Sequence, residues 1–504
     1  LEVTDRIINQ SKLILRQQKI DKDISKNEII LKLKYENTSD VVSIMLNNIT
    51  IMREQFIESF TKKHGFLEEN KEIFIDSVLV KTKVDSKIDL QSLIYEEQNN
   101  QSHSNLAVEK EIFENGFWQT VPFYRCDTLY GKKHLIGPAV VISPNNTVLI
   151  SSGWECECFD NFDFLLKKTA SLKKDSRSLL SKERDFAMEV AIFGNQIVSI
   201  AEQMGGALKK TASSINIKER FDYSCAIFNG EGSLLGSAPH IPVHLGSMSD
   251  SVKSLIDKKR GRLREGQTYI TNDPFDGGTH LPDITCISPV FISEKNTQPI
   301  FFVASRGHHA DIGGIAPGSM PANSKNIYQE GILFSLILAV EDNFFKEKDI
   351  IRILMDSDYP ARNIPYNIAD IKAQIAANQA GINEIHLKLI AFGEHSILKL
   401  SKSLLRQGEL FVRKMIPNLT SGAFETRLDT GQNISVNIVV DKNRNDILFD
   451  FEKTSSQLES NFNAPKSITK ACVLYVLRSL ISDRDIPLND GCLIPVKLKI
   501  PNNC

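Results

Sequence analysis

The 504-residue sequence predicts an α+β, or mixed α/β, protein in which a small strand-rich α+β domain precedes a large mixed domain. Three observations predict this class. Short segments that alternate apolar and polar residues, as half-buried strands do, crowd residues 1–165. A charged, serine-rich stretch at 166–184 predicts a linker. From residue 185 to residue 504, helical periodicity and short apolar runs succeed one another.

The elements of the first domain follow from local patterns. Residues 1–18 form an amphipathic helix, and a second helix at Ile49–His64 ends at Gly65, a residue type that often caps helices. The polar segment Asp85–Ser104, rich in Gln and Asn, predicts a variable surface loop. Alternation predicts five strands, at Ile29–Tyr35, Ile73–Val84, Gly116–Tyr124, His134–Ile142 and Thr147–Ser151.

The large domain mixes both kinds of element. Apolar residues at helical spacing predict six helices, at Asp185–Thr211, Gly246–Ile256, Asp349–Met355, Tyr366–His386, Leu398–Lys414 and Lys470–Ile481. Apolar or alternating runs predict strands or buried segments at Tyr223–Phe228, Leu234–Gly236, Thr268–Ile270, Ile284–Phe291, Ile300–Ala304, Ile332–Val340, Val436–Val440 and Asp446–Phe451.

The composition of the sequence excludes some classes of partner and favours one cellular compartment. The formal net charge is −2 and basic residues are not interleaved with aromatic ones, so we expect no nucleic-acid partner. No apolar run approaches the roughly 20 residues that span a bilayer, so we expect no membrane partner. The eight cysteines form no CxxC pair, and Cys156 and Cys158 stand as CxC in a predicted edge loop. Reduced thiols favour the cytosol.

Residues able to bind a metal or transfer protons concentrate between Thr271 and Met320. Two polar clusters there border buried apolar runs, and glycines flank both, which is how metal and acid–base sites are usually built. The first cluster, HLPD, places His280 and Asp283 three residues apart, and Pro282 excludes a plain helix interior. In an extended or turn conformation both side chains can point at one ion.

The second cluster is RGHHAD. Adjacent His308 and His309 point in different directions, so we expect one to bind a metal and the other to orient a group or act as an acid or base. Asp311 is either a ligand or the acceptor that holds a histidine in one tautomer. Arg306 can hold an anionic group in bidentate fashion. Imidazole and carboxylate ligands suit Zn²⁺, Mn²⁺ or Fe²⁺ better than Ca²⁺.

Other motifs carry less chemistry. His240 and His244 are four residues apart, but Pro242 between them argues against one helix, so they either line the site or form a turn. The charged segment NIKERFD precedes a strand and is either part of a site or a solvated helix end. The glycine-rich DGG and GGIAPGSM match neither GxxxxGK[ST] nor GxGxxG, and no G-x-S-x-G elbow occurs, so we expect no nucleotide loop or serine hydrolase elbow.

Longer segments together resemble the hydantoinase B family: KERFDYSCAIFNGEG, APHIPVHLGSM, NDPFDGGTHLPDIT, ASRGHHADIGGIAPGSMP, QIAANQAGI and NFNAPKSIT. That family includes the B half of ATP-dependent 5-oxoprolinase, N-methylhydantoinase, and the acetone and acetophenone carboxylases. Upstream, IGPAVVISPNNTVLISSGWECE resembles the C-terminal domain of hydantoinase A, the ATP-using partner. The resemblance implies a partial hydantoinase A-like domain at 1–165, a linker at 166–184, and a hydantoinase B-like domain at 185–504, truncated at its C-terminus.

A hydantoinase A tail joined to a B half is similar to the single-polypeptide 5-oxoprolinases. The resemblance therefore implies ATP-dependent hydrolysis of 5-oxo-L-proline to L-glutamate, in glutathione metabolism, with this chain supplying the hydrolytic half. The alternatives are a hydantoinase or N-methylhydantoinase B subunit, an acetone or acetophenone carboxylase-like subunit, and an inactive fragment. We expect no turnover by this chain alone, because the ATP-binding portion lies outside the sequence.

The resemblance also implies a site. An HxxD pair and a later histidine hold the metal in the related carboxylases, which carries over to His280, Asp283 and either His308 or His309. The expected catalytic residues are His308, His309, Asp311 and Arg306. The implied cofactors are a divalent metal (Mn²⁺, Zn²⁺ or Mg²⁺) and ATP bound by a portion outside this chain. We expect a homodimer.

Overall fold

The computed structural model describes residues 2–18, 24–36, 38, 40–68, 71–84, 107–114, 117–129, 134–158, 163–169, 179–292, 298–480 and 488–502. Within these residues the helices are α1 (Glu2–Gln17), α2 (Ile49–His64), α3 (Leu179–Thr211), α4 (Ile215–Lys218), α5 (Pro242–Lys259), α6 (Glu347–Met355), α7 (Ile364–Phe392), α8 (Glu394–Met415) and α9 (Lys466–Leu480). None of these helices is long and apolar enough to cross a membrane.

The strands in the described residues form five sheets. They are β1 (Ile24–Tyr35), β2 (Val42–Met45), β3 (Ile73–Val84), β4 (Val108–Glu114), β5 (Phe117–Arg125), β6 (His134–Ile136), β7 (Ala139–Ile142), β8 (Thr147–Ile150), β9 (Trp154–Cys158), β10 (Phe164–Lys168), β11 (Tyr223–Asn229), β12 (Leu234–Ser237), β13 (Thr268–Thr271), β14 (Asp283–Val290), β15 (Phe301–His308), β16 (Ile337–Glu341), β17 (Phe344–Phe345), β18 (Gly422–Arg427), β19 (Asn433–Asp441), β20 (Asp446–Asp450) and β21 (Val496–Lys499). Helices together with mixed and antiparallel sheets confirm the predicted α+β class.

Two compact units divide these elements. Unit 1 comprises Leu1–Ile7, Glu28–Lys81 and Phe186–Cys504, and unit 2 comprises Ile8–Asn27 and Thr82–Asp185. Residues 28–81 join the large unit because the aromatic side chains of α2 share one apolar core with α7. The domain boundaries at 165 and 185 that the family resemblance implies stay a prediction.

The segment predicted as a linker, 166–184, is structured at both ends. Residues 166–168 belong to β10, which pairs antiparallel with β9, and α3 begins at Leu179. Residues 170–178 and the predicted loop Asp85–Ser104 lie outside the described residues. The linker at 166–184 therefore stays a prediction.

Unit 2 corrects the prediction for the CxC motif. Cys156 and Cys158 lie in β9, the middle strand of the sheet β10-β9-β6, and not in an edge loop. Both side chains are buried, with their Sγ atoms 3.9 Å apart. Burial, together with the neighbouring Cys158 thiol, raises the pKa of Cys156 to about 12. A thiol with such a pKa stays protonated at neutral pH, so the pair packs as apolar core.

Unit 1 is built around an antiparallel sheet with the strand order β12-β11-β15-β14-β13-β16-β17. Helix α5 covers one face, where it contributes Met248 and Val252 to a core shared with Phe302 of β15. Helices α3 and α7 cover the other face, where their side chains share a core with Val303 of β15. Since neighbouring strand residues point to opposite faces, both faces are apolar. The continuous apolar runs in the sequence follow from this double burial.

The same alternation shows on which face of the sheet the polar side chains at the end of β15 lie. Along β15, Phe302 and Ala304 pack toward α5, so Arg306 and His308 belong to that face as well. Residue 309 follows with the opposite parity, which directs it toward α7. The sheet therefore separates the two adjacent histidines before any contact is considered.

Candidate metal centre

The register of two neighbouring strands brings the two polar clusters together. Asp283, the first residue of β14, is paired with His308, the last residue of β15. His280 lies in the turn that enters β14, where the backbone N–H of Asp283 donates to the carbonyl of His280 over 3.1 Å. The HLPD and GHHAD motifs thus meet at one edge of the central sheet.

Three electron-pair donors converge there. The Nε2 atom of His280 lies 3.0 Å from Oδ1 of Asp283 and 3.1 Å from Nδ1 of His308. The same His308 nitrogen lies 3.1 Å from Oδ1 of Asp283. Among the described residues, His280, Asp283 and His308 form the group of metal-binding side chains whose ligand atoms are close enough together to hold one ion. The three atoms form a triangle that a cation between them would stabilise.

The other oxygen of Asp283 has its own partners. Oδ2 lies 3.1 Å from Nε2 of His244, and the hydroxyl of Thr279 donates a hydrogen bond to it. Burial would raise the pKa of Asp283, but His244, His280 and His308 outweigh it and hold that pKa well below its usual range. Asp283, with only 2% of its side chain exposed, is therefore a buried anion.

Asp222 lies beside His308 on the solvent side of the site. Burial would lower the pKa of His308, but hydrogen bonding to Asp283 and the charges of Asp283 and Asp222 raise it. Oδ2 of Asp222 lies 3.8 Å from Nδ1 of His308, and 36% of the Asp222 side chain is exposed. Protons and metal ions would compete for His308 at such a site. Asp222 adds a second carboxylate on the open side.

His309 points away from this cluster. Its Nε2 atom lies 3.1 Å from Oε1 of Gln374, and the amide of Asn367 lies 3.2 Å from its Nδ1 atom. Both partners belong to α7, and burial lowers the pKa of His309. Of the two histidines left open by the sequence, His308 is the one that the structure brings to His280 and Asp283. His309 joins the central sheet to α7.

Arg306 is completely buried and is not exposed for the predicted binding of an anion. Its guanidinium donates to Thr285 (2.7 Å), Ser247 (2.5 Å), Ser251 (3.0 Å) and the carbonyl of Gly277 (3.0 Å). These contacts join β15 to β14, to α5 and to the loop before HLPD. Burial lowers the pKa of Arg306 to about 10, so it stays charged at neutral pH.

Asp311 shapes the glycine-rich loop that follows the histidines. Its carboxylate accepts from the backbone N–H groups of Gly313 (3.0 Å) and Gly318 (2.9 Å), and from the backbone and guanidinium of Arg362. The pKa of Asp311 is lowered because these donors outweigh its partial burial. The structure therefore brings Asp311 to this loop and not to His280, Asp283 and His308.

His244 is the residue that sequence reasoning undervalued. Pro242 occupies the first turn of α5 and does not interrupt it, so His244 lies in that turn and reaches Asp283. His240 precedes the helix, accepts a hydrogen bond from the backbone N–H of Cys225 (3.1 Å) and packs on Tyr223. Burial lowers the pKa of His240 to about 4.

Asp222 was recognised only as part of the segment NIKERFD, and Ser224 and Thr279 were missed. The alternation of strand residues could have indicated two of them. Asp222 and Ser224 are four and two residues before Ala226, so in a strand they lie on the same face as Ala226, which packs toward α5. The hydroxyl oxygen of Ser224 lies 3.0 Å from Nδ1 of His244. Thr279 immediately precedes His280 and offered no pattern of its own.

The donor set fits a divalent metal ion. Donors on adjacent positions of an octahedral ion, at about 2.1 Å from it, stand about 3.0 Å apart. The observed separations of 3.0 and 3.1 Å match this spacing. Two imidazoles and one carboxylate favour Zn²⁺, Mn²⁺ or Fe²⁺ over the oxygen-preferring Mg²⁺ and Ca²⁺. His280, with 39% of its side chain exposed, leaves one side of the triangle accessible.

Comparisons with known proteins show the family to which the chain is similar. The family described as Hydantoinase B/oxoprolinase matches residues 187–504. The chain is 34% identical to a 5-oxoprolinase of Saccharomyces cerevisiae, covering 99% of this chain and 40% of that protein. It is also 34% identical to 5-oxoprolinase 1 of Arabidopsis thaliana, covering 94% of this chain and 39% of that protein. The chain thus spans about two-fifths of the length of the curated relatives it matches.

Two solved structures share the fold. An ATP-dependent caprolactamase from Pseudomonas jessenii superposes with a TM-score of 0.54 at 21% identity, over 63% of this chain and 54% of that chain. A nucleotide-free acetone carboxylase superposes with a TM-score of 0.56 at 17% identity, over 64% of this chain and 44% of that chain.

Proposed function

The chain belongs to the hydantoinase B/oxoprolinase family, and we propose that it supplies the hydrolytic part of an ATP-dependent 5-oxoprolinase. The observation that carries this proposal is the similarity to named 5-oxoprolinases over 94 to 99% of this chain. The acetone carboxylase structure covers 64% of this chain at 17% identity, which supports the carboxylase alternative less well. In this proposal the ATP-binding portion, 5-oxo-L-proline and a second copy of the chain are the partners.

The reaction is the opening of a five-membered lactam, a stable amide whose carbonyl must be activated before water attacks. Phosphorylation of the carbonyl oxygen at the ATP-binding portion would provide that activation. A divalent metal bound at the candidate site would supply Lewis-acid charge and lower the pKa of a bound water.

The residues of this chain hold and orient that centre. His280, Asp283 and His308 are the proposed ligands, and Asp222 is the proposed fourth ligand on the solvent side. The exposed edges of His280 and Asp222 mark the side from which a lactam can approach. His309, Arg306 and Asp311 keep the strand ends and the glycine-rich loop in place, and we assign them no contact with substrate. With two imidazoles among the ligands, we propose Mn²⁺ or Zn²⁺ in preference to Mg²⁺.

The first experiment measures metal content. We expect the purified chain, dialysed against Mn²⁺ or Zn²⁺, to retain one ion by elemental analysis, and His280→Ala to retain far less. His395→Ala is the matched control, because His395 is an exposed histidine at the start of α8. A wild-type chain without stoichiometric metal contradicts the proposed centre.

The second experiment tests the substrate. The chain is assayed alone and together with a polypeptide carrying the ATP-binding portion of a 5-oxoprolinase, and glutamate formation from 5-oxo-L-proline and ATP is measured. We expect glutamate only in the combined reaction, and a loss of at least 100-fold in Asp283→Asn. Metal-loaded chain that forms no glutamate in the combined reaction, yet opens or carboxylates another substrate, refutes the substrate assignment and leaves the metal centre standing.

A further inference from the structure

A buried row of polar side chains leads away from the candidate metal centre. It runs from Ser224 on β11 through His244 on α5 to Oδ2 of Asp283, and Thr279 donates to the same oxygen. Ser224, His244 and Thr279 are all buried. The proposed chemistry uses only Oδ1 of Asp283, so these three groups have no part in it as described above.

The directions of the hydrogen bonds follow from the chemistry of each group. An ionised Asp283 can only accept, so the Nε2 atom of His244 must carry the proton that it shares with Oδ2. On the other side of the ring, Nδ1 lies 3.0 Å from the hydroxyl oxygen of Ser224, so the serine fixes the orientation of the imidazole. Thr279 donates its hydroxyl proton to Oδ2 as well. Two donors therefore occupy one oxygen of Asp283.

We propose that Ser224, His244 and Thr279 are positioning residues that make Asp283 a single-oxygen ligand. With Oδ2 held by two donors, the carboxylate cannot rotate to place both oxygens on the ion. A coordination position that a bidentate carboxylate would occupy stays open for water or substrate. This inference rests on the metal centre of the proposed function and adds to it the residues that set its coordination number.

The surrounding packing holds the row in place. His244 lies in the first turn of α5, and Arg306 ties the next turns of that helix to the sheet through Ser247 and Ser251. Ser224 lies beside Arg306 in the pairing of β11 with β15. The imidazole of His244 is thus held between two strands and a helix that are themselves cross-linked. Partners of this kind typically change metal affinity 10- to 100-fold when they are removed.

Ser224→Ala is the direct test, and Ser305→Ala is its matched control. Both serines are buried on adjacent paired strands, and the hydroxyl group of each makes one hydrogen bond, with His244 for Ser224 and with the carbonyl of Gln374 for Ser305. Mn²⁺ is the probe, titrated into the whole chain and followed by calorimetry and by electron paramagnetic resonance of the free and bound ion. Thr279→Val removes the second donor at nearly constant shape.

We expect Ser224→Ala and Thr279→Val each to weaken Mn²⁺ binding about 10- to 100-fold and to change the spectrum of the bound ion. We expect Ser305→Ala to bind as wild type does, and Ser224→Thr to restore both affinity and spectrum. If Ser224→Ala does not fold, Thr279→Val decides the matter.

Unchanged affinity and spectrum in the folded variants overturn the positioning role and leave the metal centre intact. A wild-type chain that binds no Mn²⁺ or Zn²⁺ overturns the metal centre and this inference together. The two failures are therefore distinguishable.

Discussion

Replacing Arg306 with lysine separates a structural role from the anion-binding role that its sequence context suggests. The guanidinium donates to four acceptors in three elements: Thr285 of β14, Ser247 and Ser251 of α5, and the carbonyl of Gly277 in the loop before β14. A lysine keeps the positive charge but donates from a single nitrogen, which cannot reach both α5 and β14. At least two of the four hydrogen bonds should be lost.

The expected magnitude follows from those losses. Hydrogen bonds to charged groups contribute about 1.5 to 3 kcal/mol each, so two of them lower the free energy of unfolding by about 3 kcal/mol or more. That corresponds to roughly 100-fold faster hydrogen exchange of protected amides in β14 and β15. Tryptophan fluorescence is not suitable, because Trp118 and Trp154 both belong to unit 2. Hydrogen exchange followed by mass spectrometry resolves the relevant strands.

Arg352→Lys is the control, since Arg352 is 75% exposed in its side chain and pairs with Asp349 on the surface. Such a pair is worth at most about 1 kcal/mol, so we expect little change in exchange. If Arg306→Lys keeps wild-type protection in β14 and β15 and instead loses substrate binding in the combined reaction, the structural assignment of Arg306 is wrong.

Three further predictions follow from single contacts. Asp222→Asn should weaken Mn²⁺ binding about 10-fold or more by calorimetry without altering the melting temperature; equal affinity would remove Asp222 from the ligand set. Burial lowers the pKa of His64 to about 4, whereas a value near 6.5 is expected in the unfolded chain. As the pH falls from about 6.5 to 4, the unfolded chain therefore binds a proton that the folded chain does not, and the free energy of unfolding decreases by up to about 3 kcal/mol. His64→Phe should reduce that loss, and a melting curve with the same pH dependence as wild type would contradict it. Gly246→Ala should lower the free energy of unfolding by about 2 kcal/mol, because the added Cβ would lie 2.3 Å from the backbone of α9. Gly206→Ala in α3 is the control: its Cβ meets nothing within 4 Å, so it should stabilise the protein slightly. Equal effects of the two substitutions in urea unfolding would refute the packing argument.

Local patterns determined much of the secondary structure. The helix Ile49–His64 and the strand Ile73–Val84 have the predicted bounds, and Gly65 caps the helix with φ of 78°. Propensity and periodicity suffice there because the elements are long and their patterns regular. The short strands β2, β9 and β18 were missed, since four to six residues carry too little pattern to distinguish a strand from a loop.

The sequence by itself determined which residue types would meet at the site, because HLPD and GHHAD each adjoin an apolar run that has to be a buried strand. It also required that His308 and His309 diverge. Only the tertiary structure decided between them: the pairing of Asp283 with His308 depends on the register of β14 and β15, which is set by packing between distant segments. The same packing buried Arg306 against α5 and brought His244 to Asp283, contacts between residues that local sequence patterns cannot connect.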